Sequence, residues 1–280
     1  MNVTRSKAQQ GRTKNPAYLN FAHPWVWKSV LDARRVFLFL DLDGTLVEIE
    51  PTPSAVELSA ESKRSLVELT ATPNILVAVV SGRRIEEIQS ILHLSGIFYV
   101  GLHGLVSLTP QGERICHPVG QEVIDALQSL LEKFNPSVLQ IPGIFFEDKG
   151  LTLALHFRQA REEKASEVVK EFVQTVGIYQ KRGIPLEILQ GKEVVEVKPA
   201  DTHKGKAVAY LLDRYGRGAL PIYMGDDVTD EAAFLTLGQK GITILVTEIP
   251  RATAATYYLR NPDEVHEFLK RLTQRRAKTT

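Results

Sequence analysis

Two aspartates follow a long apolar run near the start of the chain. The segment FLFLDLDGT (37–45) carries Asp41 and Asp43, which a single leucine separates. One carboxylate in such a position can act as a nucleophile, and a second can give up a proton and then take one back. The alternative is that the strand bends into a turn and both acids are only turn residues. The pair therefore indicates catalysis only together with partners elsewhere in the chain.

A second acidic group lies late in the chain, in MGDDVTDE (224–231). Its carboxylates repel one another and raise one another's pKa, and a hard divalent cation such as Mg²⁺ would relieve this repulsion. Acids at a helix N-terminus are also favourable to the helix dipole, which could explain Asp230 and Glu231. That explanation suits Asp226 and Asp227 less well, because they lie on the turn just after an apolar strand. We therefore predict that the two acidic groups share a metal ion.

Two further polar residues lie where a strand or turn meets a helix. Lys204 in THKGKAV begins a helix, where its charge opposes the helix dipole unless an anion compensates it. Ser81 in VVSGRR can give a hydroxyl and backbone N–H groups to the same anion. The alternative for Lys204 is a solvated surface lysine, and the alternative for Ser81 is a plain helix N-cap. Taken with the acids, these residues favour phosphoryl transfer through an aspartyl-phosphate, with Asp41 as nucleophile and Asp43 as acid and then base.

The residues above lie at the ends of apolar segments that alternate with amphipathic ones. Strands are predicted at 35–43, 75–83, 97–104, 221–227 and 241–248, and helices at 58–69, 84–92, 204–216, 229–237 and 262–273. Ser59 is placed to cap the first of these helices. This alternation is typical of an α/β fold with a parallel sheet, in which ligands bind beyond the carboxyl ends of the strands.

A different pattern interrupts the α/β alternation. Hairpins are predicted at 105–118, 144–158 and 186–199, turning at Gly112, Gly150 and Gly191, with helices at 121–134 and 161–176. Hairpins separated by helices indicate an α+β unit with an antiparallel sheet. The predicted fold is therefore α/β, a Rossmann-like parallel-sheet core at 29–104 and 198–280 with an inserted α+β domain at 105–197. Residues 1–28 are predicted to be an N-terminal tail, although Trp25 and Trp27 are expected to pack a helix onto the core.

The composition excludes several classes of protein. The 280 residues are 44% hydrophobic and carry a net charge of +1, so nothing points to nucleic acid or a membrane surface as a partner. The single cysteine, Cys116, allows no intrachain disulfide and fits a reducing compartment. No apolar run approaches the ~18–20 residues of a membrane span. We expect a cytoplasmic monomer or weak dimer, with a transit peptide as the alternative interpretation of the basic first 20 residues.

Four of these segments resemble, in the same order, the motifs of the haloacid dehalogenase superfamily of phosphatases. The matching segments are DLDGT (41–45), Ser81 in SGR, Lys204 in KGKA and GDDVTD (225–230). The insert resembles the cap domain of the subclass that acts on sugar phosphates. The resemblance implies a Mg²⁺ ion held by the side chains of Asp41 and Asp226 and by the carbonyl of Asp43. By the same likeness, Asp227 would hold metal-bound water, and Thr45 and Asp230 would support the metal shell.

A narrower resemblance covers about residues 35–273. The segments SGR, GLHG, EDKG, ALHFR, GKEVVE and GDDVTDEAAF are similar to those of trehalose-6-phosphate phosphatases. This likeness implies Mg²⁺-dependent hydrolysis of trehalose 6-phosphate, as in trehalose biosynthesis, with the cap closing over the core to exclude bulk water. Sucrose 6-phosphate, glucosylglycerol phosphate and mannosylglycerate phosphate remain alternative substrates. A phosphorylated signalling module and a sugar-phosphate sensor without activity are the rival classes, which the cap insert and the complete catalytic set disfavour.

The narrower resemblance also implies a set of residues around the substrate. The set is Asp41, Leu42, Asp43, Thr45, Ser81, Gly82, Arg83, His103, Gly104, Glu147, Lys149, Arg158, Lys192, Glu196, Lys204 and Asp227. The five charged residues of the insert, Glu147, Lys149, Arg158, Lys192 and Glu196, would hydrogen-bond the sugar hydroxyls. His103 has an alternative as a capping or core residue. His156 in LHF is predicted to be structural.

Overall fold

The computed structural model describes residues 13–21, 23–49, 56–191 and 193–278. Lys192 therefore lies outside the described residues, and its predicted role has no structural account. The chain divides into two compact units, the first formed by Met1–Cys116 and His203–Thr280 and the second by His117–Thr202.

The first unit is built on a nine-stranded sheet. Its strands are β1 (Ala17–Tyr18), β2 (Arg35–Asp41), β3 (Ile75–Val80), β4 (Phe98–Gly101), β5 (Val106–Leu108), β6 (Arg114–Cys116), β11 (Ala219–Gly225), β12 (Ile242–Val246) and β13 (Tyr257–Leu259). They are ordered β1-β13-β12-β11-β2-β3-β4-β5-β6. All pairs from β1 to β4 are parallel, and β5 and β6 extend the sheet in antiparallel fashion. The predicted parallel α/β core is thus confirmed.

Helices cover this sheet. They are α1 (Pro24–Asp32), α2 (Ala60–Ala71), α3 (Ile85–Leu92), α6 (Lys204–Tyr215), α7 (Glu231–Leu237) and α8 (Pro262–Ala277). Since helices lie on the faces of a parallel sheet, its central strands are apolar on both sides, and six of the seven residues of β2 are buried. Phe37 and Phe39 stack with their ring centroids 4.2 Å apart inside this core. Ser59 caps α2 as predicted, accepting a hydrogen bond of 3.0 Å from the Ser62 N–H.

The second unit has its own sheet and its own core. Its strands are β7 (Phe145–Asp148), β8 (Leu153–His156), β9 (Leu186–Gly191) and β10 (Val194–Pro199), and its helices are α4 (Gln121–Val138) and α5 (Glu162–Lys181). The order is β7-β8-β10-β9, and every pair is antiparallel. The helices bury one face of this sheet in a cluster around Phe134, Leu155 and Phe172. The α+β architecture predicted for the insert is therefore present.

The bounds of the units differ from those predicted. The first predicted hairpin exists as β5 and β6, but it pairs with β4 in the large sheet, with Tyr99 opposite Leu108. The division consequently falls after Cys116 and after Thr202 rather than after 104 and 197. The sequence did not show this, because the local pattern of a short hairpin does not indicate the sheet with which it pairs. The turn of the third hairpin also lies later than predicted, since β9 runs through Gly191.

Part of the predicted N-terminal tail is ordered. Residues 17–18 form β1, which pairs with β13 in parallel register, and α1 begins at Pro24. Trp27 is buried and stacks on Phe268 of α8 at 5.1 Å, as expected, whereas Trp25 is exposed, contrary to expectation. The sequence missed β1 because two residues carry no periodicity. Among the helices that the structure describes, none combines the length and the apolar character needed to cross a membrane.

Candidate active site

The predicted catalytic segments meet at one edge of the large sheet. β2 lies between β11 and β3, and both pairings are parallel. Asp41 ends β2, Ser81 follows β3, and the turn with Asp226 follows β11. Since the carboxyl ends of parallel strands share an edge, residues far apart in the chain become neighbours. The structure thereby brings both acidic groups together.

Lys204 links these two acidic groups through its ammonium. Its Nζ lies 2.7 Å from Oδ1 of Asp41 and 2.8 Å from Oδ1 of Asp230. All three side chains are buried. Charge-assisted hydrogen bonds of this kind are about twice as strong as neutral ones, which offsets part of the cost of burial. The alternative of a solvated surface lysine is therefore wrong.

Asp230 is held by more groups than Lys204 alone. The Tyr223 hydroxyl donates to its Oδ1 at 2.6 Å, and the backbone N–H of Asp227 donates to its Oδ2 at 3.0 Å. Asp227 in turn accepts a hydrogen bond of 2.6 Å from the Val228 N–H. Asp227 and Asp230 therefore form a capping box around a short helical turn at 228–230. Sequence reasoning underestimated capping at Asp227, because the turn is too short to leave a periodic pattern.

The crowding of charge shifts the pKa of several groups. Burial raises the pKa of Asp41 well above its usual value, and Lys204 only partly offsets this. Burial, followed by the charge of Asp230, raises the pKa of Asp226 to about 7. Burial would lower the pKa of Lys204, but the charges of Asp230 and Asp41 outweigh it and raise that pKa. One ammonium is therefore not enough positive charge for the carboxylates around it.

The carboxylates fit a divalent cation. Asp41, Asp226 and Asp230 each offer an oxygen, and these oxygens all lie within 4.8 Å of one another. Gly44 lies against this group with φ at 77°, and a Cβ there would overlap the Asp226 carboxylate. Hard oxygen ligands in excess of local positive charge suit Mg²⁺. Asp230 belongs to the group, although the sequence prediction gave it only a supporting role.

Asp43 pairs with a different residue from the one that pairs with Asp41. Arg83 donates from Nε to Oδ2 of Asp43 at 2.8 Å and from Nη2 to Oδ1 at 2.6 Å, which is a bidentate pair. Bidentate pairing fixes the orientation of a carboxylate as well as its position. Asp41 and Asp43 thus have separate environments, although only one residue lies between them.

Two hydroxyl groups lie on the same loops. Ser81 is buried, and its Oγ accepts a hydrogen bond of 3.2 Å from the Arg83 N–H, so it also acts as a local cap. Thr45 is fully buried, and its Oγ1 has no hydrogen-bond partner among the described residues. An unpaired buried hydroxyl is costly and needs an explanation, which a bound oxyanion would provide. The side chain of Leu42, in contrast, lies in the core, and its carbonyl accepts from the Leu46 N–H at 2.9 Å.

The GLHG segment has an unusual backbone. Leu102, His103 and Gly104 all have positive φ, at 50°, 57° and 105°. Left-handed conformations are costly for the two residues with side chains and are concentrated at functional sites. The imidazole of His103 packs on Gly82, where an added Cβ would lie 2.5 Å from its Cε1. The structure therefore places His103 beside the Ser81 loop.

Two of the charged residues predicted for the second unit lie on its sheet, Glu147 in β7 and Glu196 in β10, and Lys149 follows β7. Lys149 Nζ is 3.5 Å from both carboxylate oxygens of Glu196 and 3.9 Å from Oε2 of Glu147. Thr152 donates to Oε1 of Glu196 at 2.6 Å. Opposite charges here hold one another in place and form a preorganised polar group. Glu196 is buried, and Glu147 and Lys149 are partly buried.

The remaining described member of that set has a separate partner. Arg158 Nε lies 3.0 Å from Oε2 of Glu193. Glu193 has φ at 63° and follows Lys192, the set member outside the described residues.

The sequence did not predict the hydrogen bonds by which Arg251 joins the Asp226 turn to Glu231, which are called the brace below. Arg251 donates from Nη2 to the Asp226 carbonyl and from Nη1 to Oε1 of Glu231, both at 3.1 Å. Glu231 also accepts from the Thr253 hydroxyl at 2.6 Å and from the Ala254 N–H at 2.8 Å. Glu231 therefore accepts hydrogen bonds from a distant segment as well as lying at a helix N-terminus. No local signal links it to a segment 20 residues away, so only the fold reveals the brace.

Known proteins are similar to this chain over most of its length. The trehalose-phosphatase family model matches residues 39–263. The chain is 32% identical over 262 residues to probable trehalose-phosphate phosphatase H of Arabidopsis thaliana, a match that spans 87% of this chain and 73% of that protein. It is 34% identical over 250 residues to trehalose-phosphate phosphatase of Mycobacterium marinum, spanning 86% of this chain and 62% of that protein.

A solved structure shares the fold. The C-terminal domain of the C. albicans trehalose-6-phosphate phosphatase superposes with a TM-score of 0.79 and 21% identity, covering 94% of this chain and 99% of that one. At this identity the likeness concerns the fold alone.

Proposed function

Because this chain belongs to the trehalose-phosphatase family, we propose that it hydrolyses trehalose 6-phosphate to trehalose and inorganic phosphate. It is a phosphoric monoester hydrolase with the haloacid dehalogenase fold. The observation that carries the proposal is the Asp41 carboxylate, buried at the end of β2, 2.7 Å from the Lys204 ammonium. Asp226 lies beside it in a group that fits a divalent cation.

The proposed chemistry has two steps on Asp41. In the first, an Asp41 oxygen attacks phosphorus, the bond from phosphorus to the sugar oxygen breaks, and Asp43 gives that oxygen a proton. In the second, water attacks phosphorus while Asp43 takes a proton from it, which frees phosphate and restores the Asp41 carboxylate. Arg83 pairs with both oxygens of Asp43 and holds it apart from the Lys204 pair, so the two acids have separate environments, and Asp43 must leave Arg83 before it can carry a proton. We propose that Lys204 and the Ser81 and Thr45 hydroxyls stabilise the phosphoryl oxygens.

We propose Mg²⁺ as the cofactor. The side chains of Asp41 and Asp226 and the carbonyl of Asp43 would hold it, with Asp227 and Asp230 supporting the shell. When bound, Mg²⁺ supplies positive charge that neutralises the phosphate and the surrounding carboxylates. The excess of buried carboxylates over one lysine supports this choice.

The charged residues of the second unit are the proposed sugar-binding set. Glu147, Lys149, Arg158, Lys192 and Glu196 combine donors and acceptors, which disaccharide hydroxyls need. The contacts among Glu147, Lys149 and Glu196 support a preorganised set. Arg83, His103 and the glycines beside them are proposed to lie near the phosphate end of the substrate. The cytoplasmic location and the monomeric or weakly dimeric state stay predictions.

A substrate panel tests the proposal. Phosphate release is measured from trehalose 6-phosphate, sucrose 6-phosphate, glucosylglycerol phosphate and mannosylglycerate phosphate, each with Mg²⁺ and with EDTA. We expect trehalose 6-phosphate to have the highest kcat/KM, and activity to require the metal. Equal turnover of all four substrates would refute the trehalose assignment. Full activity in EDTA would refute the role of a divalent ion.

Asp41→Asn tests the covalent step. The amide is close to isosteric but cannot act as the nucleophile, so we expect turnover to fall by at least about a thousandfold while the fold is retained. Asp213→Asn, the same change at an exposed residue of α6, is the control and should leave kcat unchanged. Circular dichroism and kcat are measured on both. Retention of a tenth of the wild-type rate in Asp41→Asn would contradict covalent catalysis at this residue.

A further inference from the structure

One face of the small sheet carries more than the five residues named for sugar binding. In β7 and β8, Phe145 lies opposite His156 and Glu147 opposite Ala154, and in β10 Glu196 also lies opposite Ala154. Since strand side chains alternate between faces, Phe145, Glu147, His156 and Glu196 share one face. Leu155 points the other way, into the core beneath the helices. His156 is therefore on the polar face and not in the core.

His156 is fixed there by two contacts. Its ring stacks on Phe145 with centroids 4.8 Å apart and an interplanar angle of 13°. Its Nε2 lies 2.8 Å from Oε2 of Glu147. The stacking sets the plane of the imidazole, and the hydrogen bond sets its rotation, so the ring has one favoured orientation.

Glu147 receives both of its contacts on the same oxygen. His156 and the more distant Lys149 face Oε2, and no hydrogen bond reaches Oε1 from any residue that the structure describes. Burial would raise the pKa of Glu147, but the hydrogen bond from His156 and the charge of Lys149 outweigh it and lower that pKa. Glu147 consequently remains a carboxylate with one oxygen held and the other available as an acceptor.

We infer that His156 is a positioning residue for sugar recognition, which acts by donating its Nε2–H to Glu147 and orienting the free Oε1 toward a sugar hydroxyl. This inference rests on the proposed function, because it assigns Glu147 to the sugar. Phe145 supports the same arrangement by holding the imidazole plane. An acceptor fixed before binding loses less conformational entropy when it binds, so its orientation affects affinity for the disaccharide more than the chemistry at phosphorus.

Steady-state kinetics of the full chain with Mg²⁺ test this role. His156→Leu removes the donor, and His156→Gln keeps an N–H near the position of Nε2. We expect His156→Leu to lower kcat/KM for trehalose 6-phosphate about tenfold, mainly through KM, as loss of one hydrogen bond to a charged group predicts. The loss with p-nitrophenyl phosphate, which has no sugar, should be several times smaller, and His156→Gln should restore most of the wild-type KM. His117→Leu, an exposed histidine of the same unit, is the matched control.

A double-mutant cycle separates positioning from direct contact. In a Glu147→Ala background, His156→Leu should change kcat/KM for trehalose 6-phosphate by less than about twofold, because no carboxylate remains to be oriented. Independent, multiplicative losses in the double variant would overturn the inference and assign His156 a role apart from Glu147. Equal losses on both substrates, with a lowered Tm, would overturn it in favour of a structural role.

The same measurements distinguish this inference from the proposed function. If Glu147→Ala fails to impair trehalose 6-phosphate more than p-nitrophenyl phosphate, the sugar-binding assignment fails and the inference fails with it. If Glu147→Ala is selective but His156→Leu is not, only the role of His156 is refuted.

Discussion

At the scale of single residues, the candidate active site has fewer positive charges than carboxylates. Lys204 makes contacts of 2.7 and 2.8 Å with Asp41 and Asp230, while Asp226 lies in the same group and, among the residues that the structure describes, pairs with no lysine at hydrogen-bond distance. Buried charges are tolerated only when they are paired or coordinate a metal. The raised pKa of Asp226, about 7, is the direct sign of this imbalance in the metal-free protein.

This imbalance makes the stability of the metal-free protein depend on pH. The pKa of Asp226 is about 7 in the folded chain against 3.8 ordinarily. Between those values the folded state binds the extra proton, so the contribution of Asp226 to stability falls as pH rises toward 7 and stays low above it. Asp226→Asn removes this penalty. In EDTA at pH 8 we expect the variant to be more stable by about 1–3 kcal/mol, with the gap narrowing toward pH 5.

Thermal and urea unfolding from pH 5 to 8 check this expectation. Mg²⁺ should raise the Tm of the wild type at pH 8 but not that of Asp226→Asn, because the variant lacks a ligand. Asp213→Asn, at an exposed site, should follow the wild type at every pH. A stability gap that widens as the pH falls would contradict the assigned pKa direction.

At the scale of elements, tight turns after strands bring the acids together. Gly44 follows β2 with φ at 77°, and its missing side chain leaves room for the Asp226 carboxylate. The turns after β2 and β11 can therefore approach closely enough for their carboxylates to lie within reach of the same cation. A side chain at this position would separate the turns, which makes glycine a requirement of the site and not only of the turn.

Gly44→Ala tests the close approach of the two turns. An alanine would be strained at this φ, and its Cβ would overlap the Asp226 carboxylate. We therefore expect kcat/KM to fall at least about a hundredfold. Gly112→Ala is a matched control, because Gly112 has φ at 85° with nothing within 4 Å of an added Cβ. That variant should lose only about 1 kcal/mol of stability and keep its activity. Equal effects of the two changes on kcat/KM would contradict the importance of the approach.

The brace behind the acidic turn acts at the same scale. Arg251 ties the Asp226 carbonyl to Glu231, across 20 residues of sequence. Arg251→Ala should loosen the turn and weaken Mg²⁺ binding about tenfold, as for other residues that support metal ligands. Isothermal titration of the metal-free protein measures this directly. Arg217→Ala, at an exposed arginine paired with Asp213, should leave the affinity unchanged, and an equal loss in both variants would argue against the brace.

At the scale of the whole molecule, each unit has a separate hydrophobic core. The core of the second unit includes Leu155, Phe134 and Phe172, and that of the first includes Phe37, Phe39 and Phe234. Separate cores allow one unit to open locally while the other stays folded.

Leu155→Ala tests this independence. Leu155 is fully buried, so its truncation should cost about 2–5 kcal/mol. Hydrogen exchange measured by mass spectrometry should accelerate in peptides from 117–202 and stay near wild type in the first unit. Leu139→Ala, at an exposed leucine of the same unit, should change neither pattern. Equal acceleration in both units would show that they unfold as one.

Most of the fold follows from local pattern. The long apolar strands and the amphipathic helices are confirmed. A strand buried on both faces shows a continuous apolar run, and a helix buried on one face shows apolar residues at helical spacing. The errors lie where an element is short or its partner distant, as for β1 and for the hairpin of β5 and β6. The proximity of the predicted site segments could be inferred because strand ends of a parallel sheet share an edge. The contacts of Arg251 and His156 could not, since their partners are set by packing and strand register.

By itself the sequence determined which acids, lysine and serine lie at strand ends, in the order of a phosphatase, with an inserted α+β domain. Those features are local, since each depends on residue type and on neighbours along the chain. Only the tertiary structure decided the pairing of Asp43 with Arg83, the membership of Asp230 in the carboxylate group and the contact of His156 with Glu147. Side-chain partners depend on which surfaces pack together, and hydrophobic burial brings those surfaces together from distant parts of the chain.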